Sequence, residues 1–109
     1  MEMINQLKLN GIDFETSEYK EESLFVEDVK VFIHSYEFMQ LGQAIHRKQW
    51  QVAGMKIQKM SAKAKKLGMI GWENQFTGIK QNIARKNEKE ALQILSLLTT
   101  KRVKLLNLM

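Results

Sequence analysis

From Ala53 onward the apolar residues step by four and three: Ala53, Ile57, Met60, Ala64, Leu67. That spacing returns side chains to one line along a helix and forms the seam of a left-handed bundle. Trp72, Phe76, Ile79 and Ile83 repeat the same step. Nothing in the composition opposes a helical chain, since its 109 residues include no proline and only six glycines. Proline would remove a helix hydrogen bond and clash with the preceding turn, so its absence leaves long helices open. The seam therefore constrains the fold to packed helices in a single domain.

Four helices follow from the periodicity. The first is expected over about Glu22 to Arg47, with Phe25, Val29, Phe32, Tyr36 and Met39 in one stripe and Phe38, Leu41 and Ile45 beside it. The second spans about Gln49 to Leu67, and Gly68 supplies a residue able to adopt positive φ at its C-terminus. The third spans about Trp72 to Arg85. The fourth spans about Glu88 to Leu106, with Asn87 and Glu90 spaced as a reciprocal N-terminal cap and Thr99–Thr100 as a local weak point. Short connections make successive helices antiparallel. The expected fold is all-α, an antiparallel up-down-up-down four-helix bundle over residues 22–109. Residues 1–21 form a short N-terminal leader, irregular or with one short helix near Ile4 to Leu9. Trp72, Phe76, Ile57, Met60 and Phe32 are expected in one core.

Cysteine is absent, which excludes disulfides, thiol catalysis and thiolate metal sites and suits a reducing cytoplasm. The N-terminus lacks the basic start and apolar run of a signal peptide, and no stretch is apolar enough to span a bilayer. Charge is divided along the chain. Residues 1–30 hold eight acids against three lysines, a balance of −5, while residues 31–109 hold fourteen Lys/Arg against four Glu, a balance of +10. A basic body suits an anionic partner, or an acidic segment folded back on it. It equally suits a solvated lysine-rich surface.

Catalytic constellations are missing. His34 and His46 lie twelve apart, off a common helical face, with no HExxH pattern or carboxylate partner. His34 reads as a packed or half-buried residue, and His46 as exposed at a helix end. No serine has a base beside it, and "KLGMIGW" lacks the spacing of a phosphate loop. The chain reads as a non-enzyme with no cofactor and no metal. Lys56, Lys59, Lys63, Lys65 and Lys66 make a basic ridge on the second helix that could neutralise phosphates, yet no residues suggest base readout.

Residues 44–68, "AIHRKQWQVAGMKIQKMSAKAKKLG", resemble the histidine phosphotransfer (HPt) domain of bacterial phosphorelays. That family carries a motif of the form A-H-x-L-K-G-x-A-x-x-x-G on its second helix, after a turn that often contains tryptophan. Anchored on Leu67-Gly68, Ala64 matches the second alanine, Ala62 the small glycine, Met60 the leucine, Ile57 the first alanine, and Trp50 the turn tryptophan. The resemblance covers roughly residues 22–106, and it departs where the chemistry should be. Gln58 stands at the phosphoacceptor histidine, and Ser61 at the following lysine. A carboxamide nitrogen is delocalised into its carbonyl and cannot form the phosphoramidate that an imidazole forms.

The resemblance implies a non-catalytic, HPt-like signalling module of a two-component system. It would bind a response-regulator receiver domain, or a sensor kinase, as a cytoplasmic monomer without carrying phosphate. The docking face would comprise Gln58, Ser61, Ala62 and Lys65, with Lys59 and Lys63 steering association. A generic helical-bundle adaptor, or a polyanion- or nucleic-acid-binding domain using the basic second helix, is the alternative.

Overall fold

The structure is a computed structural model that describes residues 2–109, and every regular element among them is helical. The helices are α1 (Glu2–Leu9), α2 (Glu22–Ile33), α3 (Glu37–His46), α4 (Trp50–Lys66), α5 (Glu73–Ala84) and α6 (Glu88–Leu108). Single 3-10 turns occupy Phe14–Thr16 and Ile70–Trp72. Packing is cyclic: α3 lies on α4, α4 on α5, α5 on α6, and α6 returns to α3, while α2 rests on α6 and α1 on α2. Trp72, Phe76, Ile57, Met60 and Phe32 share one core, each at most 1% exposed, as the spacing predicts.

The helix ends follow one backbone recipe. After α4, Gly68 N–H donates to the Lys65 carbonyl at 3.1 Å and Met69 N–H to the Ala64 carbonyl at 3.0 Å, with Gly68 at φ +69°. This paired closure is the Schellman motif, which satisfies carbonyls the helix leaves unpaired. α1 ends the same way on Gly11, at φ +81°. α3 and α5 also do so, but there the left-handed residues are Lys48 at φ 57° and Lys86 at φ 55°.

The expected first helix is two helices. α2 stops at Ile33, and a turn through His34, Ser35 and Tyr36 leads into α3, where the Ser35 hydroxyl accepts the Glu37 N–H at 3.3 Å. The turn changes the buried face, so Phe38, Leu41, Ala44 and Ile45 enter the core while Tyr36 and Met39 are exposed. A distant side chain stabilises the break. Arg102 Nε of α6 donates to the freed Ile33 carbonyl at 2.6 Å, and its guanidinium lies 5.5 Å from the Phe38 ring centroid. Arg102 falls on the seam of Ala91, Leu95, Leu98 and Leu105, where an apolar residue would be expected.

Two smaller expectations also change. Thr99 and Thr100 do not interrupt α6, because their hydroxyls donate to the Leu95 and Ser96 carbonyls one turn back, at 3.0 and 3.2 Å. Asn87 caps α6 by accepting the Glu90 N–H at 3.2 Å. The reciprocal half of the cap is absent, since the Asn87 N–H is taken by the Asn82 carbonyl at 2.8 Å.

The leader is built into the core through Leu7 and Ile12, both 0% exposed. Its backbone covers the α4–α5 turn. Asp13 N–H donates to the Gly68 carbonyl at 2.8 Å, Glu18 N–H to the Lys66 carbonyl at 2.9 Å, and Gly71 N–H to the Gly11 carbonyl at 2.9 Å. Trp72 Nε1 donates to the Asn10 carbonyl at 2.9 Å, so the largest core side chain keeps its one polar atom satisfied by the leader. Lys101 Nζ reaches the Gly71 carbonyl at 2.7 Å from α6, and burial holds its pKa below the usual lysine value. The α4–α5 turn is thereby held by the leader on one side and by Lys101 of α6 on another.

Candidate docking face on α4

α4 buries Ala53, Ile57, Met60 and Ala64 and presents the opposite side to solvent. Its sequence carries five lysines and no acid, so this one helix holds a charge of +5, equal to the net charge of the whole chain. Lys63, Lys65 and Lys66 fall in its last turn, where cations complement the helix dipole. Among the described residues no α4 lysine is in an ion pair; the single acid–base contact of this kind is His46 Nδ1 to Glu88 Oε2 at 3.4 Å.

The predicted site residues divide. Gln58, Lys59, Ala62, Lys63 and Lys65 are exposed. Ser61 is half-buried, because it lies one turn from the buried Ile57 and Ala64 and so flanks the seam instead of facing outward. Gln58, Lys59 and Ala62 come together with Met55 around a shallow hollow of about 390 Å³. Lys63 turns away from them, placing Nζ 6.0 Å from the Phe32 ring centroid on the α2 side. Lys65 is exposed beyond the hollow.

Two apolar residues missed in the sequence complete the face. Met55 is 57% exposed and Val52 50% exposed, and with Lys56 and Lys59 they line a second hollow of about 220 Å³. A wider depression of about 490 Å³ runs from Trp50, Gly54 and Gln58 across to Lys80 and Ile83 of α5. On the other flank, Lys56 Nζ donates to Gln40 Oε1 of α3 at 2.8 Å. A signal for Val52 and Met55 existed: both are large apolar residues off the seam, on a helix whose remaining outer positions are mainly lysine and glutamine.

Neither histidine joins this face. His34 is exposed, not packed, because α2 ends there and its backbone caps the helix by donating to the Lys30 carbonyl at 3.0 Å. His46 is exposed at the end of α3 beside Glu88, and that contact is an ion pair only when the imidazole is protonated.

The face therefore has an apolar centre, a carboxamide and a cationic rim. Its charge and apolar content suit contact with an acidic surface that brings apolar groups to Met55 and Val52. No protein-family model, curated protein or solved structure matches this chain.

Proposed function

We propose that this chain is a non-catalytic, HPt-like module of a two-component phosphorelay that docks a response-regulator receiver domain through α4 without carrying phosphate. The observation that carries the reading is the position of Gln58. It matches the phosphoacceptor position of the resemblance and sits exposed between Met55, Lys59 and Ala62 on an acid-free helix. A receiver's phosphorylation pocket is acidic, so a basic rim steers the encounter, and a small residue at Ala62 allows close approach. The cyclic packing of α3 to α6 supports an antiparallel up-down-up-down bundle, in which the broken α2–α3 pair takes the place of one long helix. The setting that fits is cytoplasmic, with a receiver domain or sensor kinase as protein partner.

The test is titration of the purified chain with a panel of receiver domains. Gln58→Trp or Ala62→Trp should abolish binding by blocking approach while leaving the melting temperature unchanged, since both positions are exposed. Incubation with a phosphodonor or a phosphorylated receiver should leave the chain unlabelled. Acid-labile phosphate on His34 or His46 would assign the chemistry to a different residue.

A polyanion-binding reading is favoured by one observation, the five lysines of α4, none of them in an ion pair among the described residues. It inverts the mutational ranking. Charge reversal at Lys59, Lys63 or Lys65 would then dominate, affinity would fall steeply with salt, and Ala62→Trp would matter little.

A further inference from the structure

We propose that the acidic outer face of α2 in one copy of this chain docks on the basic outer face of α4 in a second copy. The sequence alone suggests a monomer, but these faces are unpartnered within the chain and complement each other in charge, apolar content and spacing. On α2, Leu24 is 56% exposed and Val31 is 52% exposed. They stand seven residues apart, two helical turns on one side of the helix, with Glu27 between them and Glu21 alongside, while Asp28 at the edge accepts the Tyr19 hydroxyl within the chain. On α4, Met55 and Ala62 stand the same seven residues apart, with Lys59 between them and Val52 and Lys66 alongside.

Each stripe is thus an apolar pair around a charge, acidic on α2 and basic on α4. Antiparallel docking of two such stripes, stepping three then four on α2 and four then three on α4, sets Glu27 against Lys59 and covers four exposed apolar side chains. Neither charge has an internal partner among the described residues. The two faces do not cover each other inside one molecule, because α2 packs on α6 and α1. A heterologous contact of this kind uses a different patch on each copy and adds copies until the arrangement closes.

Sedimentation velocity of the full chain tests this. The weight-average mass should rise above the 12.7 kDa monomer with concentration at about 0.05 M salt and return to monomer at about 0.5 M salt, where screening is short-ranged. Glu27→Lys and Lys59→Glu should each weaken association by about tenfold, because attraction becomes like-charge repulsion. Mixing the two variants should restore it, since an encounter between unlike variants again sets a cation against a carboxylate at these two positions. Unchanged circular dichroism would confirm that both variants fold. A mass that stays monomeric at low salt, variants that associate like the parent, or a mixture that fails to recover would each overturn the proposal. Receiver binding is a separate readout, because Glu27→Lys leaves the α4 face intact.

Discussion

The two ends of the helical ring close their turns with the same hydrogen bonds but with different residues. At one end, His46 lies 3.4 Å from Glu88 between the turns after α3 and α5, and Lys48 and Lys86 hold positive φ with exposed side chains. At the other end, the leader lies across the turn after α4. A Cβ on Gly68 would fall 2.1 Å from the Asp13 carbonyl oxygen, and one on Gly71 would fall 2.7 Å from Gly11 Cα. Left-handed backbone alone does not demand glycine. It demands glycine where a second segment of chain occupies the space a side chain would need. The leader end is closed and fixed, and the lysine end is open and adds Arg47, Lys48, Arg85 and Lys86 to the basic surface near α4.

The sharpest way to break this contrast is Gly68→Ala. The substitution adds left-handed strain and pushes Asp13 off the turn, for an expected loss of about 2–4 kcal/mol, read as a drop in denaturant midpoint. Lys48→Ala, at the same motif position on the open end, should change stability by less than about 0.5 kcal/mol, because the left-handed cost is already present. Equal losses at the two positions would show that the leader does not press on the turn.

Trp72→Phe comes next. It removes the Nε1 donor, leaves the Asn10 carbonyl without that partner, and opens space beneath the leader. The expected cost is about 2 kcal/mol, together with faster proteolysis within residues 10–18. If stability falls but the leader stays protected, the leader is held by its backbone hydrogen bonds and not by Trp72.

What the sequence made legible was the helical class, the seam residues and the stop at Gly68, because each rests on short-range spacing or on one residue's backbone freedom. The turn between α2 and α3 was hidden. No glycine or proline marks it, and Tyr36 and Met39 continue the stripe of Phe25, Val29 and Phe32 in the sequence although the fold leaves both exposed. The feature that stabilises it is Arg102, 69 residues away, whose clue was a charged residue on the seam of α6. The charge split raises a folded-back leader as one alternative, but its actual contacts are hidden, since they depend on backbone carbonyls and on glycine contacts between distant positions. At the candidate site, the lysines and Gln58 were legible from helical phase. Ser61 lies at the edge of the seam, where helical phase does not separate inside from outside, and Met55 and Val52 are apolar, a chemistry that by itself points to the interior.

Lys86→Gly probes the open end in the opposite direction. Glycine relieves the positive-φ strain and loses no contact, so stability should rise by about 0.5–1 kcal/mol after the added flexibility of the unfolded chain is subtracted. Combined with Lys48→Gly the gains should nearly add, since the two turns close separate helices. A loss at either position would mean that the lysine side chain makes a contact worth more than the strain.

The smallest expected effect separates the ends by pH. Tyr19 lies where the leader meets α2, and its hydroxyl donates to the Asp28 carboxylate. Burial, then this hydrogen bond and the charges of Asp28 and Glu18, push its pKa from 10.0 up to about 12. The folded state therefore holds the phenolic proton more tightly than the unfolded chain. The associated stability is fully present below pH 10 and is lost as pH rises towards about 12. Tyr19→Phe has no proton to lose, so its melting temperature should fall less steeply than the parent's across that window and should run parallel to it near neutral pH. Lysine deprotonation lowers both curves alike and cancels in the difference. If the two curves stay parallel up to about pH 11, between the ordinary and raised values, Tyr19 is not held by Asp28 in solution, and the leader end owes its closure to the contacts at Gly11, Lys66, Gly68, Gly71 and Trp72.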